Sequence, residues 1–285
     1  MSSLLASLAK SLRSQSQAAR EFKWMQQHIS QHKHSPDIIH EYVRRRTAGE
    51  PLQYILGTQP FGPLNLLARP PVLIPRPETE HWVCKLAESF TPTAQKPISL
   101  LDLGTGSGCI PLLLCNLWPQ GSVKAHAVDI SPHALKLATD NAQLCGMQSS
   151  QQDHQTQNTF STSMANFLAE TFPDTATRSN APFDIITSNP PYIPWNEYLE
   201  LPRSVQDFED PRALFGGPSG FNFYHAIARL ISKEDILKPS GIVVLEVGHD
   251  QAKKVESLML ETGRFRRTEI WSDPWEKQRT VVAHM

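Results

Sequence analysis

Apolar residues recur at spacings of three and four along the first fifty positions, and from residue 98 onward they gather into short runs separated by amphipathic stretches. Leu4, Leu8 and Leu12 line one face of a helix within the first twenty residues, with Leu5 beside them and Lys10, Arg13 and Arg20 opposite. Phe22, Met25 and Ile29 continue the helical period, and Ile38, Ile39, Tyr42 and Val43 form a second apolar stripe. Ser35-Pro36-Asp37 reads as the start of that second helix: a capping hydroxyl, a proline in the first turn and an acid against the dipole. Arg44-Arg45-Arg46 load its C-terminus with positive charge, and Gly49 ends it.

Between 51 and 77 the helical period fails. Gly57, Gly62 and frequent prolines leave only short apolar pieces, 64–67 and 72–74, which read as a hairpin or a linker. A helix is expected over 78–90 and a loop over 91–97. The pattern then alternates. A buried strand at 98–103 precedes a helix at 109–117. A second strand at 123–128 ends at Asp129, and a helix runs from Ser131-Pro132 through Leu144. Strands follow at 183–187 and 241–247, with 265–270 and 280–283 as further candidates. The tract 147–180 is rich in Gln, Ser and Thr and holds one weak apolar run, 159–167, so it reads as a short strand lengthened by a flexible insertion. Strands alternating with helices predict an α/β fold with a mostly parallel sheet covered on both faces.

Composition narrows the field. At 285 residues and 40% hydrophobic content the chain can bury a substantial core. Its 27 Lys+Arg against 28 Asp+Glu leave a formal charge of −1, without the cationic field of a protein that grips nucleic-acid backbone. No apolar run approaches the ~18 residues that span a bilayer, so neither membrane nor direct nucleic-acid partners are expected. Twenty-three prolines argue against an all-helical bundle. Cys84, Cys109, Cys115 and Cys145 form no CxxC pair and are expected as free, mostly buried thiols in a reducing compartment. His32 and His34 flank a lysine in a polar stretch, and no histidine has metal-site spacing, so no metal is expected. The first twenty residues are basic, rich in serine and free of acids, the composition of a mitochondrial targeting leader; an ordinary helix with a solvated basic face is the alternative.

Two stretches carry chemistry. Leu100-Leu101-Asp102-Leu103 leads directly into Gly104-Thr105-Gly106-Ser107-Gly108, whose glycines allow close backbone approach to a ligand ahead of a helix N-terminus. Asp129, 21 residues after Gly108, closes the next strand, where a carboxylate can accept both ribose hydroxyls of a nucleoside cofactor. The spacing is GxGxG rather than the dinucleotide GxGxxG, a poorer cradle for a pyrophosphate than for S-adenosylmethionine. The second stretch is Asn189-Pro190-Pro191-Tyr192, placed beyond the carboxyl end of a strand, where open α/β sheets bind ligands. A planar nitrogen is a poor nucleophile because its lone pair is delocalised. The Asn189 side-chain oxygen and the Pro190 carbonyl offer two acceptors for its hydrogens, the prolines stiffen the loop, and Tyr192 offers a flat face.

With these motifs the chain resembles the protein-(glutamine-N5) methyltransferases that modify peptide-chain release factors. The likeness spans roughly residues 20–285: GEPLQYILG at 49–57, LIPRPETE at 73–80, DLGTGSG at 102–108, NPPY at 189–192, DPRALFGG at 210–217 and EVG at 246–248. NPPY is shared with adenine-N6 DNA methyltransferases, whereas the first two runs are far more specific. The resemblance implies a Rossmann-like, doubly wound class I methyltransferase sheet with a small helical N-terminal domain and a hairpin linker. The expected divisions are a leader at 1–20, a helical substrate-recognition domain at 21–57, a hairpin linker at 58–77 and the methyltransferase domain at 78–285. It implies S-adenosylmethionine as cofactor, held by Gly104, Thr105, Gly106, Ser107, Gly108, Asp129 and Asn189. It also implies a monomer acting on the glutamine of the Gly-Gly-Gln tripeptide in a class I release factor. Asn189, Pro190, Pro191 and Tyr192 would hold that glutamine, with Asn189, Pro190 and Tyr192 catalytic. The basic leader favours the organellar member and the mitochondrial matrix, with the cytoplasm as alternative.

One departure stands out. Relatives place an acid near the adenine after the third strand, where this chain reads Ser163-Met164-Ala165-Asn166-Phe167. Either Asn166 substitutes or the alignment slips within the insertion, and the adenine contact is unassigned. Arg76 and Glu80 read equally as a junction-bracing ion pair or a cofactor contact, and the turn at 212–217 reads as a connection in preference to a cover over the substrate. Two other functions remain open: an adenine-N6 nucleic-acid methyltransferase, and a cofactor-binding but inactive docking module.

Overall fold

The structure is a computed structural model and describes residues 3–149, 157–233 and 235–285. Four helices come first: α1 (Ser3–Leu12), α2 (Gln15–Gln31), α3 (Ile38–Thr47) and α4 (Leu52–Leu56). Their apolar stripes meet in a core of their own, built from Leu8, Ala18, Met25, Ile29, Tyr42, Val43, Leu52 and Ile55. The Ser14 hydroxyl caps α2 by accepting from the Gln17 N–H. Leu8 is fully buried, so α1 packs into this unit, and the boundary expected after residue 20 falls inside α2. The start of α3 also differs from expectation. It begins at Ile38, after a turn in which the Ile38 N–H donates to the Ser35 carbonyl, and the Asp37 side chain caps nothing. The three arginines ending α3 each meet a different carboxylate: Arg44 with Glu41, Arg45 with Glu50, and Arg46 with the buried Glu21.

A hairpin of β1 (Thr58–Phe61) and β2 (Leu64–Leu67) follows. Residues 72–74 form no strand. The larger unit continues with α5 (Pro77–Glu88), β3 (Ile98–Leu103), α6 (Cys109–Leu117), β4 (Val123–Asp129), α7 (Pro132–Leu144), β5 (Gln148–Ser149) and β6 (Thr159–Met164). Then come α8 (Thr175–Asn180), β7 (Phe183–Ser188), α9 (Trp195–Tyr198), α10 (Arg203–Gln206), α11 (Asn222–Ser232), β8 (Leu237–Glu246), α12 (Ala252–Glu261), β9 (Arg267–Ser272) and β10 (Gln278–His284).

These strands form one sheet of order β5-β6-β4-β3-β7-β8-β10-β9, parallel from β5 to β8 and closed by antiparallel β10. Burial on both faces explains why apolar residues predominate on both sides of the central strands rather than alternating with polar ones. Successive residues of β3 face opposite ways: Leu100 joins Trp82, Val83, Leu112 and Leu113 on the α5/α6 side, while Leu101 and Leu103 join Ile227, Ile231 and Met259 on the α11/α12 side. The connections run outward in opposite directions from β3 and β7. That pair is the switch point at which such a sheet opens a crevice beyond its carboxyl ends. The doubly wound α/β expectation holds, with a helical unit and a hairpin ahead of the sheet.

Candidate active site

The crevice is real. A cavity of about 220 Å³ lies over the ends of β3, β4, β6 and β7, lined among others by Gly104, Gly106, Asp129, Ala165, Asn166 and Asn189. The glycine turn after β3 is held to the sheet, because the Gly104 and Thr105 N–H groups both donate to the Val128 carbonyl. Gly104 and Gly106 have φ of +70° and +56°, which a side chain would strain, and both reach the cavity. The rest of the predicted turn does not. Thr105 and Ser107 are buried, and Gly108 packs so tightly that a Cβ there would lie 3.2 Å from both the Ala138 Cβ and the Leu112 Cδ1. Gly108 therefore serves helix packing; Thr105 and Ser107 support the turn from below.

Asp129 ends β4 in the cavity. Its Oδ2 accepts from the Gly106 N–H at 2.9 Å and its Oδ1 from the Ser131 N–H at 2.8 Å. Burial pushes this carboxyl up, and the two backbone donors pull the other way. Each oxygen retains a lone pair for a ligand hydroxyl. Beneath the turn lies Asp102, fully buried, with Oδ1 accepting from the Thr187 hydroxyl at 2.7 Å and Oδ2 without a hydrogen-bond partner. Burial raises its carboxyl to about 6, against the pull of the Thr187 hydroxyl.

Two further walls complete the cavity. Ala165, Asn166, Phe167 and Leu168 follow β6, and the Ala165 N–H donates to the Asp129 carbonyl. Residues 165–168 thus reach the cavity and bring no acid to it. The Asn166 Oδ1 accepts from the Leu168 N–H at 3.0 Å, so its amide nitrogen is the end left for a ligand. Pro71, Val72 and Leu73 form the opposite wall, tied down by the Tyr54 hydroxyl on the Val72 carbonyl and by the Asp210 N–H on the Pro71 carbonyl. Asn141 links that side to the glycine turn: its Oδ1 accepts from the Leu67 N–H at 2.7 Å and its Nδ2 donates to the Ser107 carbonyl at 3.0 Å.

Within NPPY, Asn189 and Pro191 line the cavity, Pro190 is buried, and Tyr192 packs against the α11/α12 core. Burial drives the Tyr192 phenol well above its ordinary value, which keeps it neutral. The loop is braced from behind. The Gly216 N–H donates to the Ile193 carbonyl, and the Gln251 Nε2 donates to the Tyr192 carbonyl at 2.9 Å. Asp210, Arg212 and Ala213 also line the cavity, so the segment read as a connection forms part of its rim as well. Arg76 braces the junction, but with the buried Glu209 at 2.7 Å rather than with Glu80. Thr79, Glu246 and Asn141 escaped the sequence reading as site residues. The first two lie inside the quoted motifs, but their partners are 110 to 167 residues away along the chain.

Among the described residues no cluster of His, Cys, Asp or Glu is arranged to hold a metal. The lining does fit S-adenosylmethionine. Val72, Ile130, Ala134, Phe167 and Phe223 offer apolar walls to a flat base, Asp129 offers a carboxylate to a ribose, and Gly104 and Gly106 admit a ligand against the backbone. The free thiols lie elsewhere, and burial pushes Cys109 and Cys115 up to about 12.

Comparison with known proteins agrees with this geometry. Residues 79–181 match the family described as ribosomal protein L11 methyltransferase (PrmA). The chain is 36% identical over 228 residues to the release factor glutamine methyltransferase of Koribacter versatilis, covering 79% of this chain and 72% of that one. Against the protein of the same name from Moorella thermoacetica it is 35% identical over 243 residues, covering 85% and 77%. Among solved structures, a methyltransferase from Pyrococcus furiosus aligns over 78% of this chain and 88% of its own, with a TM-score of 0.50 at 15% identity, a likeness of fold.

Proposed function

This chain belongs to the release factor glutamine methyltransferase family, and on that footing we propose that it methylates N5 of the glutamine in the Gly-Gly-Gln tripeptide of a class I peptide chain release factor. It is an S-adenosylmethionine-dependent methyltransferase. The observation that carries the substrate reading is that Asn189 shares one cavity with the glycine turn and Asp129.

Bound S-adenosylmethionine supplies an electrophilic methyl group on a positively charged sulfur. Asp129 would accept the ribose hydroxyls, with Gly104 and Gly106 against the remainder, and the Asn166 amide and Phe167 would stand at the base. Asn189 and the Pro190 carbonyl act on the protein substrate, accepting the two hydrogens of its amide nitrogen and fixing its plane. As the nitrogen becomes positive those acceptors strengthen, and the surplus proton passes to water. No side chain with a shifted pKa has to remove it. Tyr192 contributes an uncharged aromatic ring behind the loop, supporting its shape.

The helical unit, α1 to α4 and its own core, is assigned to release-factor recognition, and the protein to the mitochondrial matrix as a monomer. The basic, acid-free composition of residues 1–20 supports that address. Co-expression with a mitochondrial class I release factor, followed by mass spectrometry of the tripeptide-bearing peptide, tests the activity. One added methyl on the glutamine is expected from the wild type and none from Asn189→Ala. Methyl transfer to duplex DNA and not to any release factor would instead favour the adenine-N6 reading.

A further inference from the structure

We propose that Thr79, itself anchored by Glu246, is a positioning residue that decides which end of the Asn189 side-chain amide faces the cavity. The inference rests on the release-factor glutamine reading above and extends it to residues that never meet the substrate.

The argument is a count of protons. Glu246 Oε2 accepts from the Thr79 hydroxyl at 2.6 Å and from the Trp82 indole N–H at 2.9 Å. An indole nitrogen can only donate, and a hydroxyl has a single proton to give. The short contact to a carboxylate oxygen commits that proton to Glu246. What the Thr79 oxygen can then offer Asn189 is lone pairs. It accepts from the Asn189 Nδ2 at 3.2 Å. The flipped amide would set two oxygens against each other with no proton between them, in a place from which Thr79, Trp82 and Glu246 are all sealed off from water. The Asn189 Oδ1 is therefore the free end of a side chain that lines the cavity.

The scaffold makes this arrangement rigid. Thr79 and Trp82 stand three residues apart on α5 and so share a face. Strands β7 and β8 pair in parallel with Ser188 opposite Leu245, which brings the next residues, Asn189 and Glu246, side by side at the strand ends. The backbone carbonyl of Glu246 is held as well, by the Tyr224 hydroxyl at 2.9 Å. The polarity of the relay matters for chemistry, because an Asn189 presenting its NH₂ would meet the NH₂ of a substrate amide donor to donor, and the acceptor that steers the nucleophile would be lost.

Thr79→Ala and Thr79→Ser differ by the hydroxyl alone, and Thr79→Val keeps the shape without it. Single-turnover methylation of a release factor, cofactor affinity by calorimetry and melting temperature are measured for all three. Thr79→Ala and Thr79→Val are expected to slow transfer about 100-fold, as loss of one oriented polar group does, with cofactor Kd and release-factor KM within about threefold of wild type. Thr79→Ser is expected to recover the rate to within about fivefold. If Thr79→Val does not fold, the Ala and Ser pair carries the comparison. A wild type that methylates the release factor beside an equally fast Thr79→Ala overturns the positioning role alone, as does a Thr79→Ser no faster than Thr79→Ala. A wild type that methylates no release factor removes the substrate reading, and this inference with it.

Discussion

Asp129 and Asn189 sit in the same cavity, and the roles proposed for them differ, so their substitutions are expected to separate binding from chemistry. Asp129→Ala is expected to weaken cofactor binding by about 10- to 100-fold, since a charge-assisted hydrogen bond contributes ~1.5–3 kcal/mol. Asn189→Ala should leave that affinity within about twofold while lowering the single-turnover rate by 10²–10³, the usual range for a lost oriented group. Calorimetry and rapid-quench methylation on the same preparations would show the split, and equal losses in both would contradict it. Asp102 makes a different demand. Its carboxyl rises from 3.8 to about 6 on folding, chiefly through burial. The folded chain then holds that proton more tightly than the unfolded one, so the stability it confers is complete below pH 3.8 and is lost as pH climbs through 6. In Asp102→Asn the neutral amide oxygen can still accept from the Thr187 hydroxyl, and no charge has to be buried. The variant should gain stability over wild type as pH rises from 4 to 7, by on the order of 1–3 kcal/mol in urea unfolding.

At the level of elements, the central strands were legible because both of their faces are buried. Residues 98–103, 123–129 and 183–188 are short, mostly apolar segments ending at Gly104, Asp129 and Asn189-Pro190, and the structure begins and ends them within a residue of expectation. Strand β8 was seen only from Gly241, since Lys238, Pro239 and Ser240 at its start are polar or lack the strand signature and are part-exposed or exposed. The start of α3 was misread because a serine, a proline and an aspartate suit a turn as well as a cap. In the site, the glycine turn, Asp129 and Asn189 announce themselves by local pattern. Asn141, Thr79 and Glu246 do not, because each acts on a residue brought close only by the sheet. The brace behind NPPY offers a test at this scale. A Cβ on Gly216 would stand 2.6 Å from the Pro191 carbonyl oxygen and 2.8 Å from the Tyr192 Cα, both backbone atoms that cannot swing aside. Gly216→Ala should therefore shift the loop and reduce turnover at least 10-fold, as small misplacements of reacting groups do, while cofactor Kd, read by calorimetry, stays within about threefold.

Across the whole molecule two cores are joined through Tyr54, Ala68 and Ile74, with Phe208 packed against them. The helical unit depends on α1: Leu8 is fully buried among residues of α2, α3 and α4. Leu8→Ala is expected to cost about 2–5 kcal/mol in that unit, the range for truncating a buried leucine. If the unit recognises the release factor, the same variant should raise the release-factor KM more than the cofactor Kd. A KM that stays at the wild-type value in a measurably destabilised variant would place recognition elsewhere.

The Asn141 side chain reaches from the end of the hairpin to the carbonyl of Ser107 beneath the glycine turn. The two banks of the cleft are consequently moored to one shared side chain as well as to their own braces. Asn141→Gln, one methylene longer, would loosen the fit around a bound nucleoside without altering any group the nucleoside touches.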